Sequence, residues 1–380
     1  MIELEKYQSG HYEKSMGYKY FVPSHINDEW TWTTPVLNRL LERAAVKLGE
    51  LNSFAKLVPN INLFIQLHVT KEAVVSSRIE GTRTNVDEAF FPYEEILPAR
   101  RNDWLEVNNY IKALNEAIAD LEKLPLSSRL IRKTHKILLE SARGEHKLPG
   151  EFRSSQNWIG GNSLADAVYI PPKHELLNDL MSDLEKFLHN DEIHVPSLIR
   201  IALAHYQFES IHPFLDGNGR IGRLMIPLYL VNEGLLDKPL LYLSAYFEKD
   251  KGLYYDNLSN VRTKNDMLQW LKYFLVGIEQ TSSLAVKALS GIMTLKESIE
   301  KDIHATFGRR SNSALILMDE LFKNPVTTVE QAAGMCKLSF KAANDLIGIL
   351  NKKLYLKELT GQSRNRVFIF EPYLLIFENH

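Results

Sequence analysis

The sequence predicts a mainly α-helical protein with a helical N-terminal domain, a helical core that carries one β-hairpin, and a C-terminal winged helix. Three observations predict this fold. Apolar residues recur at helical spacing along most of the 380 residues. The stretch 153–172 breaks that period with two short β-prone runs. Beyond Arg310, helical segments give way to alternating strand-like ones.

The helical segments are bounded by residues that commonly begin or end helices. Ser127 and Asn60 stand where N-caps occur, and Gly81 and Gly234 follow apparent C-termini. The predicted helices are Pro35–Leu57, Asn62–Ile79, Trp104–Leu124, Ser127–Glu140, Glu175–His189, Pro196–Glu209, Gly219–Glu233 and Asp266–Ile303.

The exceptional stretch 153–172 reads RSSQNWIGGNSLADAVYIPP. Its runs QNWI and AVYI flank a Gly-Gly-Asn turn, and a Pro-Pro pair ends it, which is typical of a hairpin. A lone hairpin in a helical protein is marginally stable and often lies over a functional surface. The same letters also fit a connecting loop with incidental β character.

The tail has the order of a winged helix. Helices are predicted over Ser311–Phe322, Thr328–Cys336 and Ser339–Lys353, and strands over Leu354–Leu359 and Arg366–Phe370 around Gly361. Polar and basic residues on the third helix and wing are Ser339, Lys341, Lys352, Lys353, Arg364 and Arg366. Because the basic excess is small, the pattern leaves open whether this region binds DNA, a protein or a second copy of the chain. The expected domains are 1–100, 101–300 and 301–380.

Composition indicates an ordinary globular protein. The hydrophobic fraction is 45%, the charged fraction is 24% and the formal net charge is -2. Nothing in that balance indicates a polyanion-binding protein overall. Cys336 is the one cysteine, so no internal disulfide can form. The N-terminus lacks the apolar core of a signal peptide, and no apolar run reaches the roughly 18 residues of a membrane span, so we expect a cytoplasmic protein.

A glycine-rich segment, Gly217–Gly222, satisfies G-x-G-x-x-G, but several known sites do not fit it. A dinucleotide fold needs a strand before the first glycine, and the preceding residues are helical in period. No kinase-like V-A-I-K strand follows. A calcium loop starting at Asp216 would need a glutamate where Pro227 stands, and no histidine or cysteine spacing fits zinc.

The same segment fits a phosphate site. Gly217, Asn218 and Gly219 allow successive backbone N–H groups to point into one concavity, and a helix beginning near Gly219 adds the positive end of its dipole. Arg220 and Arg223 lie one helical turn apart on one face, so two guanidinium groups can bind two phosphates.

Two further side chains complete this predicted site. A carboxylate at Asp216 would be repelled by phosphate unless a divalent cation lay between them, and Mg²⁺ is the natural bridging ion. His212 precedes Asp216 on the turn that enters the loop, where it can take a proton from an incoming hydroxyl.

The run His212–Arg223, HPFLDGNGRIGR, resembles the Fic motif H-P-F-x-[DE]-G-N-G-R-x-x-R at every specified position. The resemblance extends over roughly residues 100 to 280 and implies that the hairpin is the Fic flap. With Gly219 at the second glycine position of the motif, the chain resembles the AMP-transferring branch of the family. The kinase-like Doc branch has a lysine at that position. Transfer of AMP from ATP to Tyr, Thr or Ser hydroxyls of proteins, with Mg²⁺, is the implied activity.

The resemblance also implies a role for each motif residue. His212 would be the base, Phe214 the anchor of the loop and Asp216 the Mg²⁺ ligand. Arg223 would bind the γ-phosphate. The remaining ATP-binding residues would be Gly217, Asn218, Gly219, Arg220 and Gly222, with adenine contacts from Lys249, Tyr254, Tyr255 and Asn257.

A second run, Ser76–Gly81 (SSRIEG), resembles the inhibitory motif [ST]-x-x-x-E-[GN] of Fic proteins. Glu80 is an acid in the last turn of a helix, where the dipole disfavours it, so we expect a cationic partner. The resemblance implies that Glu80 pairs with Arg223 and blocks productive ATP binding, with Ser76 part of the same motif. The residues from Phe21 to Phe91 resemble the N-terminal domain often joined to such cores.

The function that the sequence favours is therefore a self-restrained protein adenylyltransferase. Its targets would dock on the flap by main-chain pairing, and the enzyme itself is one candidate target. Two alternatives remain open: the same fold acting on another nucleotide or removing AMP, and a winged-helix regulator with a vestigial Fic core.

Overall fold

A computed structural model of the chain describes residues 1–15, 17–58, 61–140, 146–361 and 366–378. The prediction of a mainly α-helical protein is confirmed, but the chain begins with four strands that the sequence analysis missed. These are β1 (Ile2–Glu3), β2 (Gly10–Ser15), β3 (Tyr18–Pro23) and β4 (Trp30–Thr31). β2 and β3 form an antiparallel hairpin, and β1 pairs with β4 in parallel. Most of β2 is exposed, so it carries little of the alternation that identifies a strand in sequence.

Two long helices follow with the predicted bounds, α1 (Pro35–Leu57) and α2 (Asn62–Ile79). Pro35 opens α1, where its missing N–H costs nothing, and Gly81 follows α2 with a φ of 106°. Asn60, predicted as an N-cap, lies outside the described residues.

The core helices surround one central helix that is buried on every side. In chain order the helices are α3 (Arg101–Asp120), α4 (Ser128–Leu138), α5 (Leu177–His189), α6 (Ser197–Ile211), α7 (Asn218–Asn232), α8 (Ser244–Lys249), α9 (Lys251–Lys264) and α10 (Met267–Thr306). Every residue of α6 from Leu198 to Ile211 is buried. Helix α6 packs against α5, α7 and α10, and α1 packs along α10. As predicted, Ser127 caps α4 by accepting the backbone N–H of Leu130 at 3.5 Å.

The flap is less regular than the hairpin predicted over 153–172. Its pairing consists of one antiparallel bridge between Ile159 and Tyr169. Beside it, the N–H of Phe21 in β3 donates to the carbonyl of Ile170 at 2.9 Å, so the N-terminal hairpin adjoins the flap. The strands stay short because the Asp166 carboxylate accepts backbone N–H groups of the turn, and other flap side chains bind the neighbouring core.

The C-terminal region contains the predicted helices and shorter strands than predicted. Its elements are α11 (Ser311–Lys323), β5 (Val326–Thr328), α12 (Val329–Cys336), α13 (Phe340–Lys352), β6 (Lys357–Glu358), β7 (Val367–Ile369) and α14 (Glu371–Glu378). The strands form one antiparallel sheet in the order β5-β7-β6. Strand β5 and helix α14 were not predicted, and Arg364 lies outside the described residues. The winged helix stays a prediction.

Within the described ranges, no helix is both long and apolar enough to cross a bilayer.

Candidate active site

The HPFLDGNGRIGR run forms a short loop between the buried helices α6 and α7. Helix α6 ends at Ile211, and His212 adopts a left-handed conformation with a φ of 50°. Gly217 has a φ of 76°, a backbone conformation that favours glycine, and α7 begins at the next residue. The first turn of α7 therefore presents its free N–H groups beside the His212 loop.

Packing and hydrogen bonds fix the shape of this loop. The Phe214 ring is fully buried and stacks on the ring of His135, with centroids 3.7 Å apart. The Asn218 side chain accepts the N–H of Phe214 and donates to its carbonyl, both at 2.8 Å. Asn218 thus holds the loop as a side-chain clamp at the start of α7.

His135 on α4 is a site residue that the sequence analysis missed. Its Nδ1 accepts the N–H of Gly150 at 2.8 Å, so the neutral ring donates through Nε2 to the carbonyl of Asp216 at 3.0 Å. Burial lowers the pKa of His135 to about 4, which keeps the ring neutral near pH 7. No local motif marks this histidine, because its partners lie far away in sequence.

Arg220 lies buried with an acid on either side. It pairs with Glu106 of α3 at 3.1 Å and with Oδ1 of Asp216 at 3.4 Å. The Asp216 side chain is 43% exposed, and its contacts, including the N–H of Gly217 at 2.6 Å, use Oδ1. An accessible carboxylate oxygen fits a Mg²⁺ ion held by one protein ligand and by substrate phosphates.

Arg223 is held by residues of α2. Its Nε donates to Oγ of Ser76 at 2.9 Å, and one terminal nitrogen donates to the Ser76 carbonyl at 3.0 Å. The same nitrogen lies 2.7 Å from Oε1 of Glu80. Burial raises the pKa of Glu80, but the charge and hydrogen bond of Arg223 lower it more, so Glu80 is a carboxylate near neutral pH.

Carboxylate groups lie close to the two glycines of α7, Gly219 and Gly222. A Cβ on Gly219 would lie 2.4 Å from Oε1 of Glu80, and one on Gly222 would lie 2.2 Å from Oε1 of Glu209. Glu209 is buried, and burial raises its pKa to about 7. Its carboxyl group is a second acid beside Arg223 that the sequence did not reveal.

His212 carries an imidazole ring that is neutral and half-buried at the entry to this loop. Burial, and then the nearby charge of Arg153, lower the pKa of His212 to about 4, so its ring is neutral at physiological pH. Flap side chains bind the main chain around it: Asn157 donates to the carbonyl of Phe214 at 2.9 Å, and the Tyr169 hydroxyl donates to that of Ser210 at 2.6 Å.

The four residues predicted to contact adenine occupy different environments. Tyr254 is buried, and its hydroxyl bonds to Nε2 of His205 at 2.9 Å. Asn257 is buried and donates to the carbonyl of Leu253 at 2.8 Å. Tyr255 is 40% exposed, under the ammonium group of Lys251.

Lys249 stands apart from the other three. It lines a cavity of about 370 Å³ between α2, α8 and α10, whose lining includes Lys71 and Glu72 but no described residue of 212–223. Sequence analysis also missed Lys251, whose ammonium group binds the carbonyl of Ile79 and so ties α9 to the end of α2.

The chain matches two family models. Residues 38–119 match the Fic/DOC family N-terminal model, and residues 125–230 match the Fic/DOC family model. Among curated proteins, the protein adenylyltransferase Fic of Culex quinquefasciatus is 33% identical over 142 residues, which are 37% of this chain and 26% of the relative. That of Drosophila erecta is 27% identical over 195 residues, 50% of this chain and 35% of the relative. The chain therefore matches only about a quarter to a third of these relatives' length.

Solved structures show the same fold. A Fic family protein from Desulfovibrio desulfuricans G20 aligns with a TM-score of 0.55 at 19% identity, covering 89% of this chain and 96% of that chain. A Fic domain containing signaling protein from Bacteroides thetaiotaomicron aligns with a TM-score of 0.54 at 21% identity, covering 66% of this chain and 97% of the other. The chain therefore carries a Fic/DOC family domain over residues 125–230, preceded by a Fic/DOC family N-terminal region over residues 38–119.

Proposed function

We propose that the protein is a protein adenylyltransferase that transfers AMP from ATP to hydroxyl groups of proteins. The observation that carries this proposal is the neutral, half-buried His212 beside the N-terminus of a helix that bears two buried arginines, Arg220 and Arg223. The name of the curated relatives, protein adenylyltransferase, supports the same activity.

In the proposed reaction, the hydroxyl oxygen of the target attacks the α-phosphorus of ATP. The new O–P bond forms as the bond from the α-phosphorus to the bridging oxygen breaks, and pyrophosphate leaves. His212 takes the hydroxyl proton, which its neutral ring can accept. The N–H groups at the start of α7 and the guanidinium of Arg220 bind the phosphate oxygens as negative charge develops.

Asp216 would hold Mg²⁺, and the ion would neutralise charge on the phosphates. The accessible oxygen of Asp216 supports this assignment. Arg223 would bind the γ-phosphate. Tyr255, as the more exposed of the two tyrosines, is the better placed to contact adenine, with Tyr254 and Asn257 in support. The position of Lys249 favours this role least.

We further propose that α2 restrains the enzyme. Glu80 occupies the hydrogen-bonding position on Arg223 that the γ-phosphate would need, and a carboxylate there repels phosphate. Productive binding of ATP therefore requires Glu80 to move away from Arg223.

The flap supports docking of targets by main-chain pairing. The Tyr169–Ile170 segment is already paired on both sides, with Ile159 and with Phe21, so the outer edge of 157–159 is the edge left for a target strand. The enzyme itself is a candidate target. A cytoplasmic location and the domains 1–100, 101–300 and 301–380 are part of the same proposal.

A winged-helix regulator that binds DNA is less well supported. Two of the basic residues expected to face DNA are engaged within the chain: Lys353 pairs with Asp302 at 2.8 Å, and Arg366 binds Asn344 at 2.6 Å and Glu358 at 3.5 Å. Protein binding or self-association suits this region at least as well.

The test is incorporation of AMP from Mg²⁺-ATP, measured by intact mass and by release of pyrophosphate. Glu80→Gly should modify itself or added cell proteins, and the Glu80→Gly/His212→Ala double variant should not. Absence of AMP and pyrophosphate with a folded Glu80→Gly variant would refute transferase activity. Incubating AMP-modified protein with the wild type tests the alternative of AMP removal.

A further inference from the structure

Arg153, at the start of the flap, spreads its guanidinium over four main-chain carbonyls. Its Nε donates to His212 at 3.0 Å, and its terminal nitrogens donate to Ser155 at 3.2 Å, Pro172 at 2.5 Å and Ile211 at 3.4 Å. The residue is 2% exposed. Two of these carbonyls lie at the two ends of the flap, and two lie at the base-bearing turn, so one side chain joins both segments.

The turn that it holds is the one that needs support. His212 has a φ of 50°, which is uncommon for a residue with a side chain and costs free energy unless its surroundings impose it. Arg153 binds the His212 carbonyl, and its own N–H donates to the carbonyl of Pro213 at 2.9 Å. Arg153 therefore holds both the peptide group that precedes Pro213 and the peptide group that follows it.

We propose that Arg153 is a positioning residue for the AMP-transfer step, which sets the orientation of the His212 ring and couples it to the flap on which targets dock. This inference rests on the proposed function. Asn157 and Tyr169 of the flap bind the carbonyls of Phe214 and Ser210, which lie on either side of the His212 turn. These contacts connect the flap edge on which a target strand would dock to the segment that carries the base.

The positive charge of Arg153 affects the pKa of His212, and a residue that only packed against the turn would not have this effect. Among the residues that the structure describes, Arg153 forms no ion pair, and the Glu175 carboxylate acts on its charge only through space. The positive charge of Arg153 is therefore felt by the His212 ring. The charged groups that act on the His212 ring are Arg153, Arg262 and Glu80; the two arginines lower its pKa and the acid raises it. Removing the charge of Arg153 should therefore raise the pKa of His212.

A second buried arginine provides a matched control. Arg200 is 7% exposed and also donates only to carbonyls, those of Leu188, Asn190 and Ile193 at 3.4, 3.0 and 3.1 Å. It lies at the opposite end of α6 from His212. Arg200→Met loses buried hydrogen bonds of the same kind without touching the base.

The experiment compares Arg153→Met, Arg153→Lys and Arg200→Met, each in the Glu80→Gly background. Arg153→Met should lower kcat about 100-fold, the scale expected for a misplaced catalytic group, with little change in the KM for ATP. The acidic limb of its pH profile should move to higher pH. Arg153→Lys keeps the positive charge, so the acidic limb of its pH profile should stay at the same pH as in the parent, while kcat falls. Arg200→Met should lose stability and keep kcat.

Three results would overturn the proposal. One is an unchanged kcat for a folded Arg153→Met, another is an equal fall in kcat for Arg200→Met, and the third is an unmoved pH limb in Arg153→Met. Should Arg153→Met fail to fold, an unchanged kcat for Arg153→Lys would overturn it.

An NMR titration of the His212 ring in ATP-free protein separates this proposal from the proposed function. A titration that moves to higher pH in Arg153→Met, with a parent variant that transfers no AMP, would refute the transferase and keep the positioning of His212. An unmoved titration with an active parent would refute the positioning alone.

Discussion

Replacing Glu80 should raise the rate of AMP transfer, and the size of the increase can be worked out from the structure. The bond lost is a charge-assisted one at 2.7 Å to an Arg223 side chain that is 1% exposed, from a Glu80 side chain that is 35% exposed. Because water partly screens the exposed acid, we take about 2 kcal/mol, inside the usual range for hydrogen bonds to charged groups. At about 1.4 kcal/mol per factor of ten, Glu80→Gly should raise AMP transfer about 30-fold below saturating ATP.

A graded variant tests whether charge is the cause. Glu80→Gln keeps the size of the side chain and can still accept a neutral hydrogen bond, so it should recover about 1 kcal/mol, or about fivefold. The assay is the initial rate of pyrophosphate release with Mg²⁺-ATP, with AMP incorporation followed by intact mass. The control is Glu88→Gln, which breaks the ion pair of Glu88 with Arg100, also partly buried but outside the motif.

Three outcomes would count against this reasoning. Equal activation by Glu88→Gln would show that loosening the N-terminal region is enough, and that the Arg223 contact is incidental. A rate for Glu80→Gln equal to that of the wild type, with Glu80→Gly active, would point to bulk as the cause. No rise in either folded Glu80 variant would refute inhibition by this residue.

Three further predictions concern the histidines and the loop anchor. Because burial and Arg153 lower the pKa of His212 to about 4, AMP transfer by Glu80→Gly should be flat from about pH 6 to 8, and an acidic limb near 6.5 would contradict the assignment. Burial lowers the pKa of His205 to about 3, below its unfolded value, so its stabilisation is full above pH 6.5 and is lost as pH falls towards 3. His205 alone should therefore contribute a fall of up to about 1.4 kcal/mol per pH unit in the free energy of unfolding in urea between roughly pH 6.5 and 5, and the slope should be smaller by that amount in His205→Gln. Phe214→Ala should cost about 3 to 5 kcal/mol in urea, and Phe214→Leu much less; similar losses for both would show that the buried ring does not anchor the loop.

The helices and the motif loop could be predicted because their signals are local. Helices α1 and α2 have the predicted bounds, and Ser127 caps α4, since helical period and cap chemistry involve residues a few positions apart. The loop at 217–219 and the start of α7 likewise follow from two glycines, an asparagine and the helix that they open.

The remaining features depend on contacts between distant residues. His135 bonds to Asp216, and Glu106 pairs with Arg220 114 positions away, yet neither partner has a distinctive neighbourhood in sequence. Two buried helices can pack against each other in many registers, and the observed register is set by the packing of the whole core. The strands β2 and β3 escaped prediction for a different reason. Most residues of β2 are exposed, and the buried residues of β3 do not alternate strictly, so neither strand shows a clear hydrophobic alternation in the sequence.

The arrangement around Arg223 indicates how a single carboxylate can restrain this site without dismantling it. The Arg223 guanidinium donates two of its three hydrogen bonds to Ser76, one to the hydroxyl and one to the main-chain carbonyl, and neither of these bonds depends on Glu80. In the proposed restraint, we therefore expect Arg223 to stay in place with one donor free when Glu80 moves away, so that a γ-phosphate would meet a preorganised partner. Since Ser76 lies in the last turn of α2 and Glu80 is the residue that caps the end of that helix, a small change there can remove the acid and keep the hydroxyl. A shift of the whole helix would instead remove both, and would leave a buried arginine without partners, which costs several kcal/mol. We therefore expect release by local fraying near Gly81, detectable as faster amide hydrogen exchange at 78–81 than at 72–76 when ATP binds.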